Sequence, residues 1–201
     1  MAAVMVQLMP ASSKLYTVIA ASLSWRVTCG FIIVYVGVAA PAVAGTPQEP
    51  AFVAASLLLG TILILLSVID VRFYRLPDAL TFSLLATGLA LCFVFQWDDV
   101  RWRLAAAAFG FGTLYGVGKL YHYIRGRDGL GLGDAKLLAA AGAWLGMEGV
   151  PTTLLIASLS GLGAALLGRL AGRPISADTR LPFGPFLALG TWLTWFYGPM
   201  I

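Results

Sequence analysis

Charge is scarce in this chain. Only 11% of its 201 residues are Asp, Glu, Lys or Arg and 60% are hydrophobic, whereas an ordinary soluble domain carries about 25% charged residues. With a mean hydropathy of +0.89, too little polar surface remains to face water, and the composition predicts an integral membrane protein. Cysteine is also scarce. Cys29 and Cys92 lie in separate apolar runs with no CxxC pair, which excludes a zinc knuckle and a redox dithiol on ligand count. They read as small side chains facing the core or lipid. Long polar stretches, low-complexity tracts and internal repeats are missing, so no soluble domain is expected. Thirteen basic and nine acidic residues leave a net charge of +4, but the basic residues fall in short loops. No basic tract or aromatic-basic interleaving exists, so nucleic acid is excluded as a partner.

What is present is a series of apolar segments: Val27–Ala44, Ala51–Ile69, Ala79–Gln96, Leu104–Gly118, Leu137–Met147, Thr152–Gly168 and Pro182–Gly198. A spanning helix needs about 20 mainly apolar residues, and the segments predict an all-α polytopic bundle of about seven transmembrane helices. Their connectors hold helix stop and start signals, as in "GTPQEP", "RLPD" and "MEGVP". If all seven cross and the N-terminus is cytoplasmic, eleven basic residues fall inside: Lys14, Arg26, Arg72, Arg75, Lys119, Arg125, Arg127, Lys136, Arg169, Arg173 and Arg180. Only Arg101 and Arg103 stay outside, an asymmetry that obeys the positive-inside rule.

The fifth segment is short. Eleven uncharged residues separate Lys136 from Glu148, about 16 Å of helix. If it failed to cross, the basic count would fall to 8 inside against 5 outside. Crossing is therefore favoured over six spans plus a re-entrant segment. Near the N-terminus, "APAVAG" after an apolar run resembles a signal-peptide cleavage site. An uncleaved span is preferred there, and the remaining topology is the same either way.

Most acids fall in connectors, where solvation is the default. Asp70, Asp78 and Asp134 differ. An ionisable group at membrane depth costs several kcal/mol and points to function. Asp70 ends the second segment in "LSVIDVRFYRLPD", and Asp134 opens the fifth after "GLGLG". In the topology above both lie at cytoplasmic ends of helices, at one depth. Two carboxylates near a low-dielectric core cannot both ionise cheaply, so the pair is expected to hold one proton between them. That is the electrostatic arrangement of an aspartic protease. The glycines preceding Asp134 suit a backbone strip that a second chain can approach closely. They do not form a P-loop, which would need Gly-Lys-Ser/Thr where this run continues Asp-Ala-Lys. Helix capping by Asp134 is the structural alternative. Asp78 follows Pro77 where an N-cap belongs; capping the third span is its preferred role, with the second catalytic carboxylate as fallback.

Together "DVRFYRLPD", then "GLGDAK" some sixty residues on, then "LPFGPFLALGTWL", resemble the type IV prepilin peptidases, polytopic GxGD aspartic proteases of bacterial inner membranes. The resemblance runs from about Leu57 to the last residue. It implies an endopeptidase that cleaves the leader of type IV prepilins, or of type II secretion pseudopilins, at the cytoplasmic face. The cut falls after a glycine preceding the hydrophobic helix, and no metal or cofactor is needed. The catalytic pair then falls on Asp70 and Asp134, the motif glycines on Gly131 and Gly133, with Lys136 just behind and Asp78 and Lys136 as supporting residues. Larger members carry an N-terminal methyltransferase region with a four-cysteine zinc site, which these residues do not contain, so methylation is not expected. Residues 1–50 are read as an N-terminal segment with the first span or a signal sequence, and 51–201 as the membrane-embedded peptidase core. The partners implied are the prepilin or pseudopilin substrate and membrane lipid.

The rival from another class is a small transporter using intramembrane acids to carry protons or ions; the lack of inverted repeats speaks against it. A purely structural membrane subunit ranks third. Among lesser signals, His122 reads as an interfacial residue of a basic loop, with a proton relay as the alternative. Tyr115, Tyr121, Tyr123, Trp97, Trp102, Trp192, Trp195 and Tyr197 suggest an aromatic belt. Ser160–Gly168 is expected to pack closely through its small residues. Pro182 and Pro185 are expected to start or kink the last helix.

Overall fold

The computed structural model describes residues 29–40, 49–95, 99–126, 129–171 and 182–200. Expectations placed on Lys14, Arg26, Trp97, Arg127, Arg173 and Arg180, and on the cleavage-like run after Ala40, lie outside these residues. The described residues form seven helices and no strand: α1 Cys29–Ala40, α2 Pro50–Phe73, α3 Asp78–Phe95, α4 Val100–Arg125, α5 Leu132–Leu145, α6 Gly149–Leu170 and α7 Gly184–Tyr197. Each falls on one of the predicted segments. Of these, α2 and α6 are by themselves long and apolar enough to cross a membrane.

The helix boundaries follow from local chemistry. Pro50 sits in the first turn of α2, where a missing N–H leaves nothing unpaired. α2 ends at Tyr74, whose left-handed conformation (φ 51°) turns its N–H back onto the Asp70 carbonyl at 2.8 Å. Pro77 then accepts from the N–H groups of Leu80 and Thr81, opening α3. Asp99 caps α4 through Arg101 N at 3.0 Å, and Gly126 (φ 68°) closes it. Gly146 (φ 80°) ends α5.

The contacts also give each helix its direction. Gly110 of α4 lies against Leu138 and Ala139 of α5, while Gly142 of α5 lies against Ala106 and Ala107, so this pair is antiparallel. Asp70 meets Gly184 and Gly60 meets Trp192, making α2 and α7 antiparallel. Gly190 meets Thr153 and Gly161 meets Phe186, so α6 and α7 are antiparallel as well. By contrast, Asp78 pairs with Lys136 and Leu84 with Trp144, making α3 and α5 parallel. The helices alternate in direction. The ends of α2, α4 and α6 therefore share one pole of the bundle with the starts of α3, α5 and α7. Among the described residues Arg72, Arg75, Lys119, Arg125, Lys136 and Arg169 lie toward that pole, and Arg101 and Arg103 toward the other.

α5 is the axis of the fold. It packs against α3, α4, α6 and α7, and every residue from Leu137 to Trp144 is buried. Its 14 residues make about 21 Å of helix, short of the roughly 30 Å hydrocarbon layer. Protein surrounds α5, so no mismatch with lipid arises. At its far end the buried Arg103 guanidinium of α4 donates to the Trp144 carbonyl, supplying a partner that a helix C-terminus lacks.

Two expectations about packing fail. Trp192 is 6% exposed, donating its indole N–H to the Tyr35 carbonyl at 2.9 Å, and Trp195 is half-buried with its N–H on Ser56 Oγ at 2.8 Å. Both belong to the interior, where buried indoles need acceptors, while Trp102 and Tyr123 remain outward. In Ser160–Gly168, Gly163 faces open space and Gly161 only touches Phe186. Close backbone approach occurs instead at Gly110, Gly142 and Gly190, where an added Cβ would come within 2.5–2.6 Å of a backbone carbonyl on the facing helix. Gly142→Ala is accordingly expected to destabilise the fold by about 1–3 kcal/mol through overpacking, while Gly163→Ala leaves it unchanged. Thermal unfolding in detergent checks this, and equal melting of both variants would contradict the assigned α4–α5 contact.

Candidate active site

Asp70 and Asp134 are both buried, at 6% and 9% exposure, although each sits at a helix end. Asp70 is on the last turn of α2. Its Oδ2 accepts the Gly184 N–H at 3.0 Å, the first N–H of α7. Asp134 is the third residue of α5, and its Oδ2 accepts the Gly131 N–H at 3.3 Å. It thus reaches back to its own helix cap, one half of a capping box. Both acids therefore rest on helix N-termini, whose unpaired N–H groups and positive dipole ends favour carboxylates. Leu76, six residues beyond Asp70, packs on Gly133, next to Asp134. Three segments far apart in sequence, the end of α2 and the starts of α5 and α7, thus gather two carboxylates in one corner.

Capping and catalysis are not exclusive for Asp134: its capping contact coexists with a second buried carboxylate at the same pole. Asp78 takes a different position. It starts α3, and its exposed carboxylate meets Lys136 Nζ at 2.6 Å. That lysine also lies 5.5 Å from the Phe82 ring centroid. The ion pair ties the α2–α3 connection to α5 two residues beyond Asp134, and it occupies the Asp78 carboxylate.

The motif glycines have separate uses. Gly131 is extended (φ −78°, ψ 146°) and donates its N–H to Asp134. Gly133 lies under Leu76, where an added Cβ would fall 2.9 Å from the leucine Cβ; its bareness lets the connection that follows Asp70 settle on the Asp134-bearing helix. Gly184 is the residue that sequence reasoning missed. A Cβ there would lie 2.7 Å from Asp70 Oδ2, so the carboxylate fits only against a glycine. The signal was the "FGPF" of the last segment, in which Pro185 starts the helix as expected. His122 and Lys119, on the last turns of α4, line a pocket beyond Gly131. Among the described residues no group of three or more His, Cys, Asp or Glu is placed to hold a metal.

Gly184→Ala is expected to displace the Asp70 carboxylate and to cut any activity that depends on it about a hundredfold at unchanged protein level; retained activity would show that the α7 contact is dispensable. For the Asp78–Lys136 pair, which is partly exposed, a double-mutant cycle with Asp78→Asn and Lys136→Gln is expected to give a coupling of at most about 1 kcal/mol, read by thermal unfolding. A coupling several times larger would mean that the pair is shielded from solvent.

The sequence model of the type IV leader peptidase family matches residues 57–166, more than half of the chain. Among curated relatives, a protein named prepilin leader peptidase/N-methyltransferase from Burkholderia pseudomallei (strain K96243) is 40% identical over 136 residues, 68% of this chain and 44% of that protein. One of the same name from Escherichia coli (strain K12) is 39% identical over 168 residues, 84% of this chain and 73% of the relative. A third, from Pseudomonas aeruginosa, is 38% identical over 149 residues, 73% of this chain and 50% of its own. The chain thus spans about half the length of the Burkholderia and Pseudomonas proteins. No solved structure matches it. By the extent of the family match and the identity to these relatives, the chain belongs to the type IV leader peptidase family.

Proposed function

We propose that this protein is an aspartic endopeptidase of the bacterial inner membrane that removes the leader peptide of type IV prepilins or type II secretion pseudopilins. Residues 51–201 form its membrane-embedded core and residues 1–50 the segment leading into it. The observation that carries this reading is that the end of α2 and the start of α5 bring two buried carboxylates, Asp70 and Asp134, to one pole of the bundle, each gripped by a helix N-terminus. The names of the relatives supply the substrate class.

In the proposed reaction the two carboxylates share one proton, as neighbouring buried acids do. The charged member takes a proton from water as its oxygen attacks the scissile carbonyl carbon. The protonated member gives its proton to the carbonyl oxygen. Collapse of the tetrahedral intermediate breaks the C–N bond; the proton gained from water passes to the leaving amine, and one hydroxyl proton of the intermediate returns to the other carboxylate, restoring the pair. Burial restricts competing water and strengthens each of these interactions. Gly131 keeps a side chain away from the approach to Asp134, leaving room for an unwound peptide, while the bare Gly133 admits Leu76. The basic residues toward the site pole support a cytoplasmic active site under the positive-inside rule.

The test is leader cleavage in membranes, followed by electrophoretic mobility of a co-expressed prepilin at matched enzyme levels. Asp70→Asn and Asp134→Asn are each expected to lower cleavage by about three orders of magnitude or more, and Asp78→Asn to keep it within about tenfold. A dead Asp78→Asn with an active Asp70→Asn would reassign the first carboxylate. Wild-type protein that cuts no prepilin would remove the substrate class.

A further inference from the structure

Beside the glycine strip a pocket of about 410 Å³ opens between the last turns of α4 and the start of α5. Tyr115, Lys119 and His122 line it from α4, spaced so that they share one face of that helix. Leu130, Gly131 and Ala135 close it on the other side. The base is apolar, with Leu114 and Ala135 buried, and the charge at the rim is cationic. Lys119 sits 5.7 Å from the Tyr115 ring centroid, and no carboxylate among the described residues pairs with it. Its counterpart Lys136 is already neutralised by Asp78.

Gly131 is the shared wall. Its N–H holds Asp134, while the same residue lines the pocket. An extended peptide advances about 3.4 Å per residue. A substrate with its scissile bond at Asp134 therefore passes the pocket within a few residues of the cut.

We infer that this pocket is a substrate subsite that receives a carboxylate side chain of the cleaved polypeptide, with Lys119 as its counter-charge. The inference rests on the endopeptidase reading proposed above. A side chain of the substrate is favoured over a lipid headgroup because the pocket shares a wall with the Asp134 site, so whatever occupies it stands beside the reacting bond.

The experiment is steady-state cleavage of a prepilin by the full-length protein in vesicles of purely zwitterionic phospholipid. Each acidic substrate residue within about five positions of the cut, a reach set by the extended-chain rise, is changed in turn to its amide. Lys119→Ala is expected to raise KM about tenfold with kcat within about twofold, since a lost contact formed equally in ground and transition states acts on KM. Lys119→Arg is expected to restore KM. At one substrate position the amide should add nothing to the Lys119→Ala defect, and a lysine there should regain affinity in Lys119→Glu. Thermal unfolding of each variant confirms that the exposed Lys119 can be changed without loss of fold.

Additive effects at every substrate position, or an unchanged KM, would overturn the subsite while leaving the peptidase intact. A Lys119 effect that appears only when anionic phospholipid is added would assign the pocket to headgroups and overturn it too. Absence of wild-type cleavage would overturn the peptidase reading and the subsite with it.

Discussion

Two carboxylates share one corner of a bundle that otherwise contains little charge, and much of the architecture follows from the cost of keeping them there. A buried carboxylate loses several kcal/mol of hydration unless dipoles or donors replace it. Here the replacements are backbone N–H groups at two helix starts. Those starts can reach the acids only because the helices alternate in direction, bringing the beginnings of α5 and α7 to the pole where α2 ends. Glycine is then required at both points of closest approach. Gly184 admits the Asp70 carboxylate, and Gly133 admits Leu76. The two acids, the glycines and the order of the helices form one set of dependent requirements.

The central helix meets a second requirement. A segment of 14 residues is too short to span lipid comfortably, yet it carries Asp134. Enclosing it among four neighbours removes the mismatch. It also replaces lipid, a solvent that adapts to any shape, with side chains and glycine contacts that hold one position. Trp144 is part of that grip, its indole N–H on the Leu84 carbonyl at 2.7 Å and its ring against Gly88. Arg103 closes the far end. The depth of Asp134 is thereby set by packing along the whole of α5.

Asp70 and Asp134 could be picked out in the sequence because charge at helix depth is rare enough to stand out against its surroundings. The seven helices of the described residues followed from apolar run lengths. Gly184 left no comparable trace: it contributes a main-chain N–H and the absence of a Cβ, neither of which is visible in composition or period. Trp192 and Trp195 were misplaced for a related reason. In a membrane protein both the interior and the lipid-facing surface are apolar, so hydropathy separates them poorly, and an indole near a span end suits either. The same ambiguity hid which glycines pack, since Gly163 and Gly190 look alike until the helices are set side by side.

The bond between Asp70 and Gly184 joins residues 114 positions apart, which has a consequence for biogenesis. A chain inserted helix by helix in order of synthesis acquires Asp70 early and Asp134 later, but the Gly184 N–H that holds the Asp70 carboxylate arrives only with α7. The acidic corner is therefore complete only once α7 has joined the bundle. A chain that has not yet placed α7 holds Asp70 without this clamp.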